Sequence, residues 1–230
     1  MSTFVALFLF ACGDQESIAQ ANRQNSEPAL PKVENLADAQ PAKTNQIYQE
    51  GKHYFRIGEP TRNEHGKVEV VEVFWFGCGH CFATEPYIES WDRNKSQDAE
   101  LVRVAAPLSG IWGFHAQVYY ANKALGIAEQ VHQATFNAIH RDGLRLSSLN
   151  QVADFYAENF GVDAEEYKNA FNSFSVNLEL NKARELVEQY RINSVPNFMV
   201  GGAYRVNAES AGSIPGIFSV INYLLSAKFQ

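Results

Sequence analysis

Cys78 and Cys81 stand in the run Phe76-Gly77-Cys78-Gly79-His80-Cys81-Phe82. Two thiols at that spacing can cycle between dithiol and disulfide, supply half of a zinc site, or form an inert crosslink. Zinc wants four ligands, and the chain has no second CxxC and no paired-histidine motif; its third cysteine, Cys12, lies far upstream. The surroundings favour exchange. Val68-Glu69-Val70-Val71-Glu72-Val73-Phe74-Trp75 is dominated by β-branched and aromatic residues and reads as a buried strand, while Cys81 to about Asn94 has helical character. Cys78 therefore opens a helix at a strand's carboxyl end. There the positive end of the helix dipole stabilises a thiolate and lowers its pKa. His80 adds a donor or cation beside the same sulfur, so Cys78 is expected to be the nucleophile and Cys81 the resolving thiol.

Charged residues inside apolar strands draw notice next. Glu72 shares parity with Val70, Phe74 and Phe76, and Arg103 is the matching oddity in Leu101-Val102-Arg103-Val104. A buried carboxylate needs a partner, so the two either pair beneath the cysteines or face solvent. Glu85, four residues after Cys81, either opposes the thiolate with its charge or is a solvated surface group. Trp75, Phe76, Phe82, Trp112 and Phe114 read as core. Trp112-Gly113-Phe114 is expected on a loop after Pro107, where it would line an apolar groove for unfolded chains.

The elements that position these groups are strands near Tyr54-Ile57, Val68-Trp75, Leu101-Ala105, Asn197-Val200 and Tyr204-Val206. Three-to-four spacing predicts helices at about His115-Ile127, Ala128-Arg141, Leu149-Phe160, Ala164-Asn172, Val176-Tyr190 and Ile217-Ala227. Ser147-Ser148 offers a cap, and Asp163 with Glu166 a capping box. The chain has 230 residues, 46% of them hydrophobic, enough for one full-sized domain plus a tail. A net charge of −7 argues against nucleic acid and against electrostatic docking on anionic lipid. Three cysteines, two of them in the CxxC, leave no structural disulfide framework.

Cys78-Gly79-His80-Cys81 after Val73-Phe74-Trp75-Phe76 resembles the thioredoxin superfamily, and the wider pattern resembles its DsbA branch of bacterial periplasmic dithiol oxidases. Tyr48-Gln49-Glu50-Gly51-Lys52-His53-Tyr54, Ala124-Leu125-Gly126 and Ser194-Val195-Pro196-Asn197-Phe198-Met199-Val200-Gly201-Gly202 carry the likeness, which spans roughly Ile47 to Phe229. It implies an α/β protein: a thioredoxin fold in two segments, 47–106 and 176–230, with an inserted helical domain at 107–175. It also implies a monomeric periplasmic enzyme without metal or organic cofactor. Such an enzyme introduces disulfides into unfolded exported proteins and is reoxidised by a DsbB-like membrane quinone reductase. In this family Val195-Pro196 would be cis and face the CxxC, leaving the Val195 backbone free to pair with an extended substrate. Glu72 matches an acid that helps move protons to and from the resolving thiol. The family usually has Lys where Arg103 stands, and Arg cannot release a proton. Gly79-His80 departs from the Pro-His typical of DsbA and matches eukaryotic disulfide isomerases, which implies an oxidising but less extreme potential. Two other readings stand beside this one. A periplasmic isomerase or reductase would commonly carry a dimerisation domain, and the tail here is short and polar. A non-enzymatic peptide-binding surface lipoprotein would keep all its activity in Cys78→Ala.

Phe4-Val5-Ala6-Leu7-Phe8-Leu9-Phe10-Ala11 is too short to span a bilayer but suits a signal-peptide core. Leu9-Phe10-Ala11-Cys12 resembles a bacterial lipobox, so 1–11 is expected to be a lipoprotein-type signal and Cys12 the lipidated residue. The alternatives are a secreted protein cut elsewhere or a cytosolic chain with a chance apolar start. Residues 12–46 contain three of the chain's eight prolines and no aromatic ring. That composition suits a flexible tether, whose ends would average about 30 Å apart.

Overall fold

Strand β2 (Val68–Phe74) is buried along its length except at Glu69, as a run of valines with aromatic company should be. It lies next to one edge of a five-stranded sheet. The other strands are β1 (Phe55–Arg56), β3 (Ala99–Ala105), β4 (Asn197–Val200) and β5 (Tyr204–Val206). Their order is β1-β5-β4-β2-β3, with β3 parallel to β2 and β4 antiparallel to it on the other side. A parallel pair needs a crossover, supplied by helix α1 (Gly79–Asn94). These elements come from a computed structural model that describes residues 48–229. The expected signal segment, Cys12 and the tether lie outside the described residues.

Between β3 and β4 run α2 (Gly110–Ala124), α3 (Ala128–His140), α4 (Leu149–Phe160), α5 (Ala164–Phe171) and α6 (Phe174–Gln189). After β5 come α7 (Ala208–Ala211) and α8 (Ile214–Lys228). The α/β architecture with a helical block ahead of the last two strands is the one expected. The caps also match in part. Ser148 accepts from the Gln151 N–H, and Asp163 from the Glu166 N–H at 2.7 Å, a one-sided cap where a reciprocal box was expected. Two core clusters form. One gathers Phe74, Phe76, Phe136, Tyr156 and Tyr167; the other gathers Ile88, Phe198, Ile221 and Leu224. Each such fully buried side chain contributes about 2–3 kcal/mol of apolar burial.

One expectation needs correcting. Trp112-Gly113-Phe114 is not a loop; it lies in α2, which starts at Gly110, before the expected His115. The Trp112 N–H donates to the Ser109 carbonyl, and its ring stacks on Trp75 at 4.3 Å and 11°. Phe114 packs against Phe171. Tertiary stacking outweighs the modest helix penalty of Gly113.

Candidate active site

Cys78 caps α1. Its backbone is extended (φ −90°, ψ 114°), and its sulfur accepts the Cys81 N–H at 3.4 Å. Both cysteines are free thiols, Cys78 half-buried and Cys81 fully buried. The hydrogen bond between the two sulfurs, the N–H groups of Cys81 and His80, and the His80 charge together lower the Cys78 pKa to about 6, against the opposing effect of burial. Burial pushes the Cys81 thiol far up, helped by its hydrogen bond to Cys78 and by the charges of Cys78 and Glu72. The imidazole of His80 is exposed at the mouth of the site. Gly77 is required at its position, because a Cβ there would strike the indole of Trp75. The Trp75 Nε1–H donates to His115 Nδ1 at 3.1 Å. That fixes the other imidazole nitrogen as a donor to the Leu146 carbonyl, 3.2 Å away.

The Val195-Pro196 bond is cis, and the Cys78 thiol donates to the Val195 carbonyl at 3.6 Å. The two segments farthest apart in the sequence reading of the site thus meet at one sulfur.

Beneath the thiols lies a buried charge cluster. Glu72 and Arg103 are register partners on β2 and β3, and Glu72 is fully buried. Arg103 Nε approaches Glu72 Oε2 at 3.3 Å, an ion pair whose angle falls short of a hydrogen bond. Of the two alternatives for these residues, pairing beneath the cysteines is the one observed. Burial raises the Glu72 pKa well above the ordinary range, as does the neighbouring Glu85, while Arg103 works the other way. Glu85 is not a solvated surface charge, contrary to one of the two expectations. It is buried on the same stripe of α1 as Cys81, Ile88 and Trp91, with Oε2 3.3 Å from Arg103 Nη2 and Oε1 3.1 Å from His132 Nε2. Arg103 also reaches Glu129, whose side chain is 84% exposed and therefore a weak counterion.

The sequence model of the family described as DSBA-like thioredoxin domain matches residues 112–214. The thiol:disulfide interchange protein DsbA of Pseudomonas aeruginosa is 37% identical over 182 residues, 79% of this chain and 86% of that protein. The chain belongs to the DsbA family. The DsbA of Burkholderia cepacia is 39% identical over 167 residues, 73% of this chain and 78% of that one. The crystal structure of Pseudomonas aeruginosa DsbA matches with a TM-score of 0.72 at 37% identity, covering 78% of this chain and 93% of that chain. This DsbA-family chain has the thioredoxin-like α/β fold and is a protein dithiol-disulfide oxidoreductase.

Three buried or half-buried histidines of this DsbA-family site were not anticipated. His115 anchors Trp75 as described. His140 donates through Nε2 to the Phe76 carbonyl at 2.7 Å and stacks on Phe82 at 4.9 Å and 9°. It thereby ties α3 to the turn that leads into Cys78. His132 is the third, against Glu85. None of the three had a local signal that named its partner, because the partners of all three lie in remote segments. Among the described residues no three His, Cys, Asp or Glu side chains converge as a metal site would need.

Proposed function

We propose that the chain introduces disulfides into unfolded exported proteins by exchange at Cys78–Cys81. One observation carries this reading: a half-buried sulfur at a helix start, accepting the Cys81 N–H and with its pKa lowered to about 6, beside a fully buried thiol whose pKa burial raises. In the oxidised enzyme a substrate thiolate attacks Cys78 Sγ. The S–S bond breaks, and Cys81 leaves as thiolate and takes up a proton. A second substrate thiolate then attacks the substrate sulfur of the mixed disulfide, and Cys78 departs as the stabilised thiolate. Glu72 serves as the proton store for Cys81, and the Val195 backbone beside Pro196 is the binding edge for the extended substrate. His80 tunes the couple by favouring the thiolate. Segments 47–106 and 176–230 form the thioredoxin-like part, and 107–175 the helical insertion over it.

The test is an equilibrium titration of Cys78–Cys81 against glutathione, paired with oxidation of a reduced substrate protein. The expected couple is oxidising relative to glutathione, and Cys78→Ala loses substrate oxidation altogether. A couple more reducing than glutathione would favour the isomerase or reductase reading. Retained activity in Cys78→Ala would favour a peptide-binding lipoprotein.

The proposed setting is the periplasm, with the chain acting as a monomer. A DsbB-like membrane quinone reductase reoxidises it, and a lipid on Cys12 anchors it through the 12–46 tether. Two features support this: the lipobox-like sequence before Cys12, and the DsbA family itself. Among the described residues no helix is long and apolar enough to cross a membrane. Expressed in bacteria, the full chain is expected to partition into detergent, and Cys12→Ser to move to the aqueous phase. Equal partitioning of the two would reject the anchor.

A further inference from the structure

Glu85 sits one helical turn beyond Cys81, and behind it the buried cluster continues to a group with no role so far. His132 on α3 is buried, with Nε2 3.1 Å from Glu85 Oε1 and with Nδ1 lacking a hydrogen-bond partner among protein atoms. Its ring helps line a cleft of about 170 Å3 that also reaches Arg103 and Glu85. The cleft is open and polar and brings water up to this residue, although Nδ1 itself is covered in the structure.

The charges in this cluster do not balance without His132. Two fully buried carboxylates, Glu72 and Glu85, share one guanidinium, that of Arg103, whose side chain is 10% exposed. If both carboxylates ionise, one negative charge stays uncompensated in a low-dielectric interior, which is costly. The other charged groups around His132 sit mostly at the cleft mouth. From α1 these are Glu89, Asp92 and Arg93, beside Glu85 itself, and from α3 the exposed Glu129. From α2, Tyr119 packs edge-on to the imidazole and donates to the Arg103 carbonyl at 3.2 Å. Among the described residues, Arg103 and His132 are the cationic-type side chains in direct contact with Glu85, and of these the imidazole is the one whose chemistry allows it to take up and release a proton.

We propose that His132 is a positioning residue that sets the protonation state of Glu72 through Glu85 and Arg103, exchanging its own proton with solvent at the cleft. This rests on the reading of Cys78 as nucleophile and Cys81 as resolving thiol. With His132 protonated, Glu85 is paired by the imidazolium, Arg103 turns its charge to Glu72, and Glu72 stays ionised. With His132 neutral, Arg103 is held by Glu85 and Glu72 keeps a proton. The protons balance over a cycle. When the dithiol is oxidised, Cys81 gives its proton to Glu72 and His132 releases one to water. When the disulfide opens, Glu72 returns the proton to the Cys81 thiolate and His132 takes one up. No proton passes through Arg103, which never gives one up.

The experiment uses the reduced full chain and an aromatic disulfide whose released thiolate absorbs light. A first burst reports attack by Cys78, and a second release reports attack by Cys81 on the mixed disulfide. His132→Gln keeps a hydrogen bond to Glu85 but carries no charge. It is expected to leave the first phase unchanged. Its second phase should slow about tenfold at pH 7, with the pH profile moved alkaline by about one unit, the shift equivalent to that factor. Glu72→Gln should slow the second phase as well, and His132→Gln should add nothing in that background. Glu85→Gln gives the opposite sign: Arg103 then serves Glu72 alone, and the profile moves to lower pH. Damage to the fold would not produce shifts of opposite direction. An unaltered second phase in His132→Gln overturns the proposal, as does a Glu85→Gln profile that moves alkaline. Loss of the first phase in the unmutated chain would instead overturn the Cys78 assignment, and this inference with it.

Discussion

Between about pH 6 and pH 8.5 the reduced protein is expected to gain about 2–3 kcal/mol of stability relative to the oxidised protein. The source is Cys78, whose pKa of about 6 lies below that of an unfolded-chain thiol, about 8.5. A depressed acid pKa contributes fully above the unfolded value, and the contribution is lost as pH falls through the folded value. The window is therefore about pH 6 to 8.5, with reduced protein favoured at its alkaline end. The unscreened shift corresponds to about 3–4 kcal/mol; a half-exposed sulfur keeps less of it, hence the lower figure. Against it stands the crosslink, which for so short a loop restrains the unfolded chain by only about 2 kcal/mol. The two contributions cross at about pH 7.5–8, and above that the reduced protein should melt higher by about one to three degrees. Calorimetry of both forms across this range checks the sign and the slope. His80→Ala should flatten the slope, because the His80 charge is among the groups that lower the Cys78 pKa. A pH-independent difference with the oxidised form always higher would mean that the fold does not favour the thiolate, and the oxidase reading would fall.

Alkylation should separate the two cysteines by a factor of about a thousand or more near pH 7. Cys78 is then mostly thiolate, while Cys81 is 0% exposed and held protonated by burial. Brief treatment of reduced protein with iodoacetamide, followed by peptide mapping, should find label on Cys78 and none on Cys81. The labelling rate should rise with a midpoint near pH 6. Label on Cys81 first, or a midpoint above about 8, would reverse the assignment of nucleophile and resolving thiol.

What was legible in the sequence was the part governed by local rules. The valine run of β2, the CxxC at a strand-to-helix junction, and the Ser148 and Asp163 caps all express their reasons within a few residues. Glu72 against Arg103 was legible as well, because strand parity and the search for a buried partner lead to the same pair. The histidines were not. His115, His132 and His140 act on Trp75, Glu85 and Phe76, and those contacts depend on how the helical block packs on the sheet. The burial of Glu85 has a local signal in its spacing: it lies four residues after Cys81, on the stripe continued by Ile88. Trp112 lies in α2 and not on the loop expected after Pro107, because its ring stacks on Trp75, a contact that no local pattern shows.

The order of strands has a consequence for a chain as it is made. Val70 on β2 pairs with Val200 on β4, and the whole helical block lies between them in sequence. Cys78 and Cys81 therefore emerge with β2 and α1, long before the segment carrying Val195 and Pro196 exists to stand opposite them. Sheet closure waits on the last quarter of the chain, a long-range pairing of the slow kind. During that interval the thiols are present without the loop that stands against Cys78 in the folded protein. Nascent chains of this protein are thus themselves candidates for unwanted crosslinking, and an already folded copy is a catalyst able to act on them.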